Sequence, residues 1–92
     1  GEDGASHQSI EDIALMRVIP EMVVIVPSDA VETDRALRWA IEYEGPVYIR
    51  LVRPNCPVIH EESYQLAPNK IEVIRPGKDL TIVATGETVY YA

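Results

Sequence analysis

The sequence predicts an α/β fold built on an open parallel sheet. Three observations carry this: a helical period near the start, strand patterns at the apolar run Met22–Val26 and at Val47–Val52, and a helical stretch between those two. Strand, helix and strand over Met22 to Val52 have the length of a right-handed parallel βαβ unit.

Ser9 to Ile19 places Ile10, Ile13, Ala14 and Val18 at helical spacing. Ser9 with Asp12 three residues on resembles a capping box, and Pro20 stops the helix. Met22–Val26 is continuously apolar and closed by Pro27, as expected of a strand buried on both faces. A second helix is expected from Ala30 to Tyr43, with Ser28 or Asp29 as cap and Glu32 in the first turn. Its inward stripe is Ala36, Leu37, Ala40 and Ile41, with Arg35, Arg38 and Glu42 in water. Gly45-Pro46 ends it, and Val47, Ile49 and Leu51 share one face of the next strand.

From Pro54 the period is lost. Pro54, Pro57 and Pro68 punctuate a connecting segment. A short strand is expected at Ile71–Ile74, a turn at Pro76-Gly77 and a buried strand at Leu80–Ala84. Thr85-Gly86-Glu87 reads as the turn into a further helix that the sequence does not complete. A two-stranded parallel sheet is not independently stable, so the chain is expected to begin and end within larger domains.

Composition sets the outer limits. The 92 residues suffice for one small domain or parts of two, and at 47% apolar and 25% charged they should bury a core. Fifteen acids against eight bases give a net charge of −7, which argues against nucleic acid or an anionic membrane as partner. Cys56 is the single cysteine, so no internal disulfide forms, and no apolar run approaches a membrane span. The expectation is a soluble cytoplasmic protein.

The candidate chemistry starts at Asp3 and His7, four apart and flanked by Gly1, Gly4, Ala5 and Ser6, just before the first helix. A carboxylate and an imidazole on such a loop can hydrogen-bond a polyhydroxylated ligand and handle its protons. The alternative is a turn aspartate and a helix-entry histidine, each satisfied locally. Ser6 lacks the strand–elbow–helix setting of a nucleophile. Arg53 lies just past the second strand, fixed by Pro54, at the edge where ligands of open α/β sheets gather. Arg50, inside the strand, is better read as surface charge or a salt bridge. His60 with Glu61 and Glu62 matches no metal motif and reads as a solvated face. Cys56 between prolines reads as a packed or incidental thiol, and Trp39 with Tyr43 as packing. Gly86 alone after a strand is weak evidence of a nucleotide turn.

GEDGASHQSIEDIALMRVIP, followed by PSDAVE and GPVYIRLVRPN, resembles the second half of the pyrimidine-binding domain of transketolases. Family members show G-E-D-G-P-T-H-Q, a Glu three residues after the Gln, an Arg closing the helix, P-N-M, P-x-D and a strand ending S-R-Q-N. TIVATGETV resembles the first strand of the family's C-terminal domain. The likeness covers essentially the whole chain. It is nearest to the split form, in which this chain would belong to the C-terminal subunit. It divides the chain into residues 1–55 of the pyrimidine-binding domain, a linker at 56–69, and the start of the C-terminal domain at 70–92.

The resemblance implies an assembled enzyme that uses thiamine diphosphate and Mg²⁺ to move a two-carbon ketol unit from a ketose phosphate to an aldose phosphate. Asp3 matches the acid that hydrogen-bonds a sugar hydroxyl. His7 matches the catalytic histidine near the substrate carbonyl, and Arg53 the arginine that holds the phosphate. Glu11 and Arg17 match positions read as structural. Ala5-Ser6 replaces Pro-Thr, and Val52 and Pro54 replace the Ser and Gln around the arginine. The cofactor-activating glutamate, the aromatic ring pocket and the diphosphate site belong upstream or on another domain. No cofactor or metal ligand is therefore expected within this window, and the chain alone should be inactive. A partner subunit carrying the diphosphate-binding domain, and a homo- or hetero-oligomer, are implied. The alternatives are a deoxyxylulose-phosphate synthase, a 2-oxoacid dehydrogenase β-subunit, and a non-catalytic transketolase-like subunit.

Overall fold

The computed structural model describes residues 3–4 and 7–92. Gly1, Glu2, Ala5 and Ser6 lie outside them, and with them the Ala5-Ser6 replacement and the Ser6 hydroxyl. The element order is α1 (Asp12–Arg17), β1 (Val23–Ile25), α2 (Ala30–Glu42), β2 (Val47–Ile49) and α3 (Thr88–Tyr91). β1 and β2 pair in parallel, Val23 opposite Val47 and Ile25 opposite Ile49, with α2 as the crossover. The α/β class and the parallel βαβ unit are as expected. Two further bonds extend the ladder, Val23 N–H to the Pro46 carbonyl at 3.0 Å and Arg50 N–H to the Ile25 carbonyl at 2.9 Å. There it stops, because Pro27 has no N–H to continue it. The second strand is thus three residues long and not six, and Leu51 is exposed.

α2 forms as its sequence dictates. Asp29 caps it, accepting from Glu32 N–H at 2.8 Å. Glu32 reaches back to Ser28, accepting from its N–H at 2.8 Å and its hydroxyl at 2.6 Å, so of the two candidate caps Asp29 is the cap and Ser28 is a donor to Glu32. The inward stripe needs correction. Ala36 is fully buried and Val31 joins it, but Leu37 and Ile41 are exposed. Arg35 is not in water but half-buried, donating to the carbonyls of Glu62 at 2.7 Å and Tyr64 at 3.2 Å. α2 therefore turns one edge onto the segment that follows β2.

α1 is shorter than expected. Its N-cap is Glu11, without a side-chain cap bond, and Ser9 lies outside the helix. The Asp12 carboxylate is taken instead by Tyr48 on β2 and Arg50 just past it, so the expected box does not form. Ile10 and Val18, expected on the inward face, are exposed.

Residues 50–87 contain no helix or strand. The strands expected at Ile71–Ile74 and Leu80–Ala84 are absent. β propensity is realised through pairing with a neighbour, and no described backbone pairs with these stretches. Ile71 and Val83 are exposed. The turn at Gly86 does lead into α3. Gly86 takes a φ of +60°, and a Cβ there would stand 2.7 Å from Cγ1 of Val26, so both backbone and space call for glycine.

Candidate functional site

The end of β2 and the loop before α1 face each other across a cleft of about 500 Å³. Asp3, His7, Asp12, Tyr48, Arg50 and Arg53 line it. The three residues singled out from sequence are thus brought to one hollow, although Asp3 and Arg53 are fifty positions apart. β2 delivers Arg53, because the chain emerges from the C-terminal end of a parallel strand and Pro54 limits the backbone that follows. A turn delivers His7, whose N–H donates to the Gly4 carbonyl at 2.9 Å. Asp3 has a φ of +57°, left-handed backbone that aspartate tolerates better than most residues.

Two carboxylate–guanidinium pairs cross the cleft. Asp3 and Arg53 form an ion pair in which both side chains remain exposed. Asp12 and Arg50 form the second, Arg50 Nε to Asp12 Oδ2 at 3.4 Å, with Asp12 buried. The Tyr48 hydroxyl donates to the same oxygen at 2.8 Å. That bond, aided by the Arg50 charge and opposed by burial, holds the Asp12 carboxyl below its ordinary range and raises the Tyr48 hydroxyl above its own. Asp12 Oδ1 is buried without a partner. The salt-bridge reading of Arg50 agrees with this geometry.

Tyr48 was not singled out from sequence, and Asp12 was named only as a capping-box residue. The available signal was an acid in the first turn of a helix and a lone hydroxyl on the second face of β2. The two are 36 positions apart, and nothing local links them.

His60 departs from its expected place on a solvated face. Its ring is buried, and Nδ1 lies 3.0 Å from Asp29 Oδ2, so this nitrogen carries the proton that an ionised carboxylate accepts. Asp29 Oδ2 also accepts from the N–H groups of Ile59 and His60, both at 2.8 Å. Burial pushes the Asp29 carboxyl up, but its hydrogen bonds outweigh this and leave it lowered. Glu61 and Glu62 stay exposed. Tyr64 packs against the His60 ring at 4.1 Å between centroids. Its own burial, together with the charges of Glu32, Glu72 and Asp29, pushes the phenol up to about 12. This network ties the connecting segment to the start of α2. Cys56 is half-buried, its Sγ 3.7 Å from the Pro54 carbonyl, and Trp39 stacks on Tyr43 at 4.6 Å.

Among the described residues no three His, Cys, Asp or Glu side chains are grouped to hold a metal ion. No helix among the described residues is long and apolar enough to cross a membrane. The cleft offers hydrogen-bonding and charged groups, and the phenol ring of Tyr48 is committed to Asp12. Its charged side chains are the Asp3–Arg53 and Asp12–Arg50 pairs together with Glu87. Among the described residues the cleft lining includes neither an aromatic slot for an aminopyrimidine ring nor a group of metal-ligating side chains.

The family model described as "Transketolase, pyrimidine binding domain" matches residues 1–59. A putative transketolase C-terminal section of Methanocaldococcus jannaschii is 50% identical over 97% of this chain and 29% of its own length. One of the subunits of an apulose-4-phosphate transketolase from Phocaeicola vulgatus is 39% identical over the whole chain and 30% of its own length. 1-Deoxy-D-xylulose-5-phosphate synthase of Synechococcus elongatus is 42% identical, again over the whole chain but 15% of its own length. A solved structure described as a split gene transketolase, inactive β4 tetramer, superposes with a TM-score of 0.88 at 49% identity, over 95% of this chain and 29% of the other. The chain thus spans less than a third of each of these relatives. With the family's domain matched over more than half of its residues and its fold reproduced, the chain belongs to the transketolase family, in the region of the pyrimidine-binding domain.

Proposed function

We propose that this chain supplies the sugar-phosphate side of the active site in a split, thiamine-diphosphate-dependent transketolase. The assembled enzyme moves a two-carbon ketol unit from a ketose phosphate to an aldose phosphate. The observation that carries the reading is the convergence of Asp3, His7 and Arg53 on one polar cleft. Arg53 holds the phosphate with parallel N–H donors and orients the sugar through binding energy remote from the reacting carbon. Asp3, an acceptor only when ionised, takes a hydrogen bond from a sugar hydroxyl. His7 sits where an imidazole can donate to an oxygen that gains charge during reaction. Thiamine diphosphate and Mg²⁺ are held by residues outside this window, on a partner subunit carrying the diphosphate-binding domain. Residues 1–55 form the pyrimidine-binding portion, 56–69 the linker and 70–92 the start of the C-terminal domain. The description of the solved relative as an inactive β4 tetramer accords with a subunit that is silent without its complement.

The likeness to a deoxyxylulose-phosphate synthase gives a second reading, in which pyruvate is the donor. A donor assay on the full-length subunit mixed with its partner separates the two. The proposal expects turnover of a ketose phosphate with an aldose phosphate, and a loss of about a hundredfold or more in kcat on His7→Ala. Turnover of pyruvate in place of the ketose overturns it, as does an unchanged kcat in the variant.

A further inference from the structure

We propose that Asp3 and Arg53 are exchange partners: a ligand bearing both a phosphate and a hydroxyl takes Arg53 with the one and the released Asp3 carboxylate with the other. The Asp12–Arg50 pair stays closed. This rests on the sugar-phosphate reading and adds to it how the cleft selects for that combination of groups.

The two pairs differ in what it takes to open them. In Asp12–Arg50 the side chains are 10% and 31% exposed, and the Tyr48 hydroxyl bonds the shared oxygen. Opening it would strand a buried charge, which is strongly unfavourable. In Asp3–Arg53 the side chains are 50% and 70% exposed. Water screens that pair, so little is lost when it parts. A phosphate dianion also brings more charge and more acceptor oxygens to a guanidinium than a carboxylate does. The phosphate therefore displaces Asp3 from Arg53, and the freed carboxylate is left facing the same hollow with its acceptor positions open.

Selectivity follows. Inorganic phosphate must open the pair and leaves Asp3 with water alone. A phosphate ester that carries a hydroxyl opens the pair and then gives Asp3 a new partner. Closed, the pair occupies Arg53 and lowers the affinity of the cleft for small anions that lack hydroxyls.

The test titrates inorganic phosphate, by calorimetry, into the full-length subunit assembled with its partner. Asp3→Asn is expected to tighten phosphate binding by roughly two- to fivefold, the range expected of an exposed ion pair. The gain should vanish in the Arg53→Ala background, and Asp12→Asn should give a smaller gain than Asp3→Asn. Unchanged affinity in Asp3→Asn overturns the exchange. So does the same gain with Arg53 removed, or an equal gain from Asp12→Asn, since either would be a general field effect. If Arg53→Ala alone leaves phosphate affinity intact, the sugar-phosphate reading falls and takes the exchange with it. If Arg53→Ala weakens binding but Asp3→Asn does not tighten it, only the exchange falls.

Discussion

Asp29 ties two distant parts of this chain together. One oxygen caps α2, and the other gathers the backbone of Ile59 and His60 together with the His60 ring. Sequence reading reached the cap, because a carboxylate three residues before a helix N–H is a local pattern. It did not reach the remainder, because the other donors lie thirty positions away and nothing near Asp29 announces them. Asp29→Ala removes the cap and leaves buried N–H groups without an acceptor, a loss of about 2 kcal/mol or more that denaturant titration would measure. The folded Asp29 carboxyl lies below its unfolded value of about 3.9. Its contribution is therefore whole above that value and is lost as pH falls through the lower, folded one. Tyr64 works in the opposite sense. Its folded value of about 12 stands above the unfolded value of about 10, so stability is whole below pH ~10 and drains away as pH rises towards 12. Tyr64→Phe should flatten that alkaline limb while leaving the acid limb in place, as thermal melts across pH would show.

Among the elements, legibility followed range. α2 was predicted to within a residue, because its apolar period, its cap and the Gly45-Pro46 stop are all written locally. The strands were placed correctly and overextended, because their length is set by where Pro27 ends the ladder rather than by their own apolar runs. The same reason removes the strands expected at 71–74 and 80–84, where the propensity is present and a pairing edge is not. Gly86 was seen as a turn, but its real constraint is the approach to Val26, whose carbonyl accepts the Gly86 N–H at 3.1 Å. Gly86→Ala combines a strained φ with a steric clash and should lower stability by more than about 1 kcal/mol. A smaller gap between the melting curves of the two proteins would show that the turn relaxes.

At the scale of the whole molecule, the buried interior is slight, centred on Val31 and Ala36 with the polar Asp29 and Ser28 beside them. Ile10, Ile41 and Ile71 remain more than 80% exposed. What the 92 residues do hold firmly is an arrangement. One parallel pair, one crossover helix and one pinned connection place the loop before α1 opposite the end of β2. The candidate site was largely legible for this reason: Asp3, His7 and Arg53 each carry a local mark, and the fold only had to bring them together. Its supporting pair, Asp12 and Tyr48, exists solely through that assembly and left no such mark. The most direct test of the convergence is the kinetics of Arg53→Ala in the full-length subunit with its partner, comparing a phosphorylated sugar with its unphosphorylated counterpart. KM for the phosphorylated sugar should rise about tenfold or more, the worth of a charged hydrogen bond, while KM for the unphosphorylated sugar stays where it was. An equal change for both sugars, or none for either, would contradict the account.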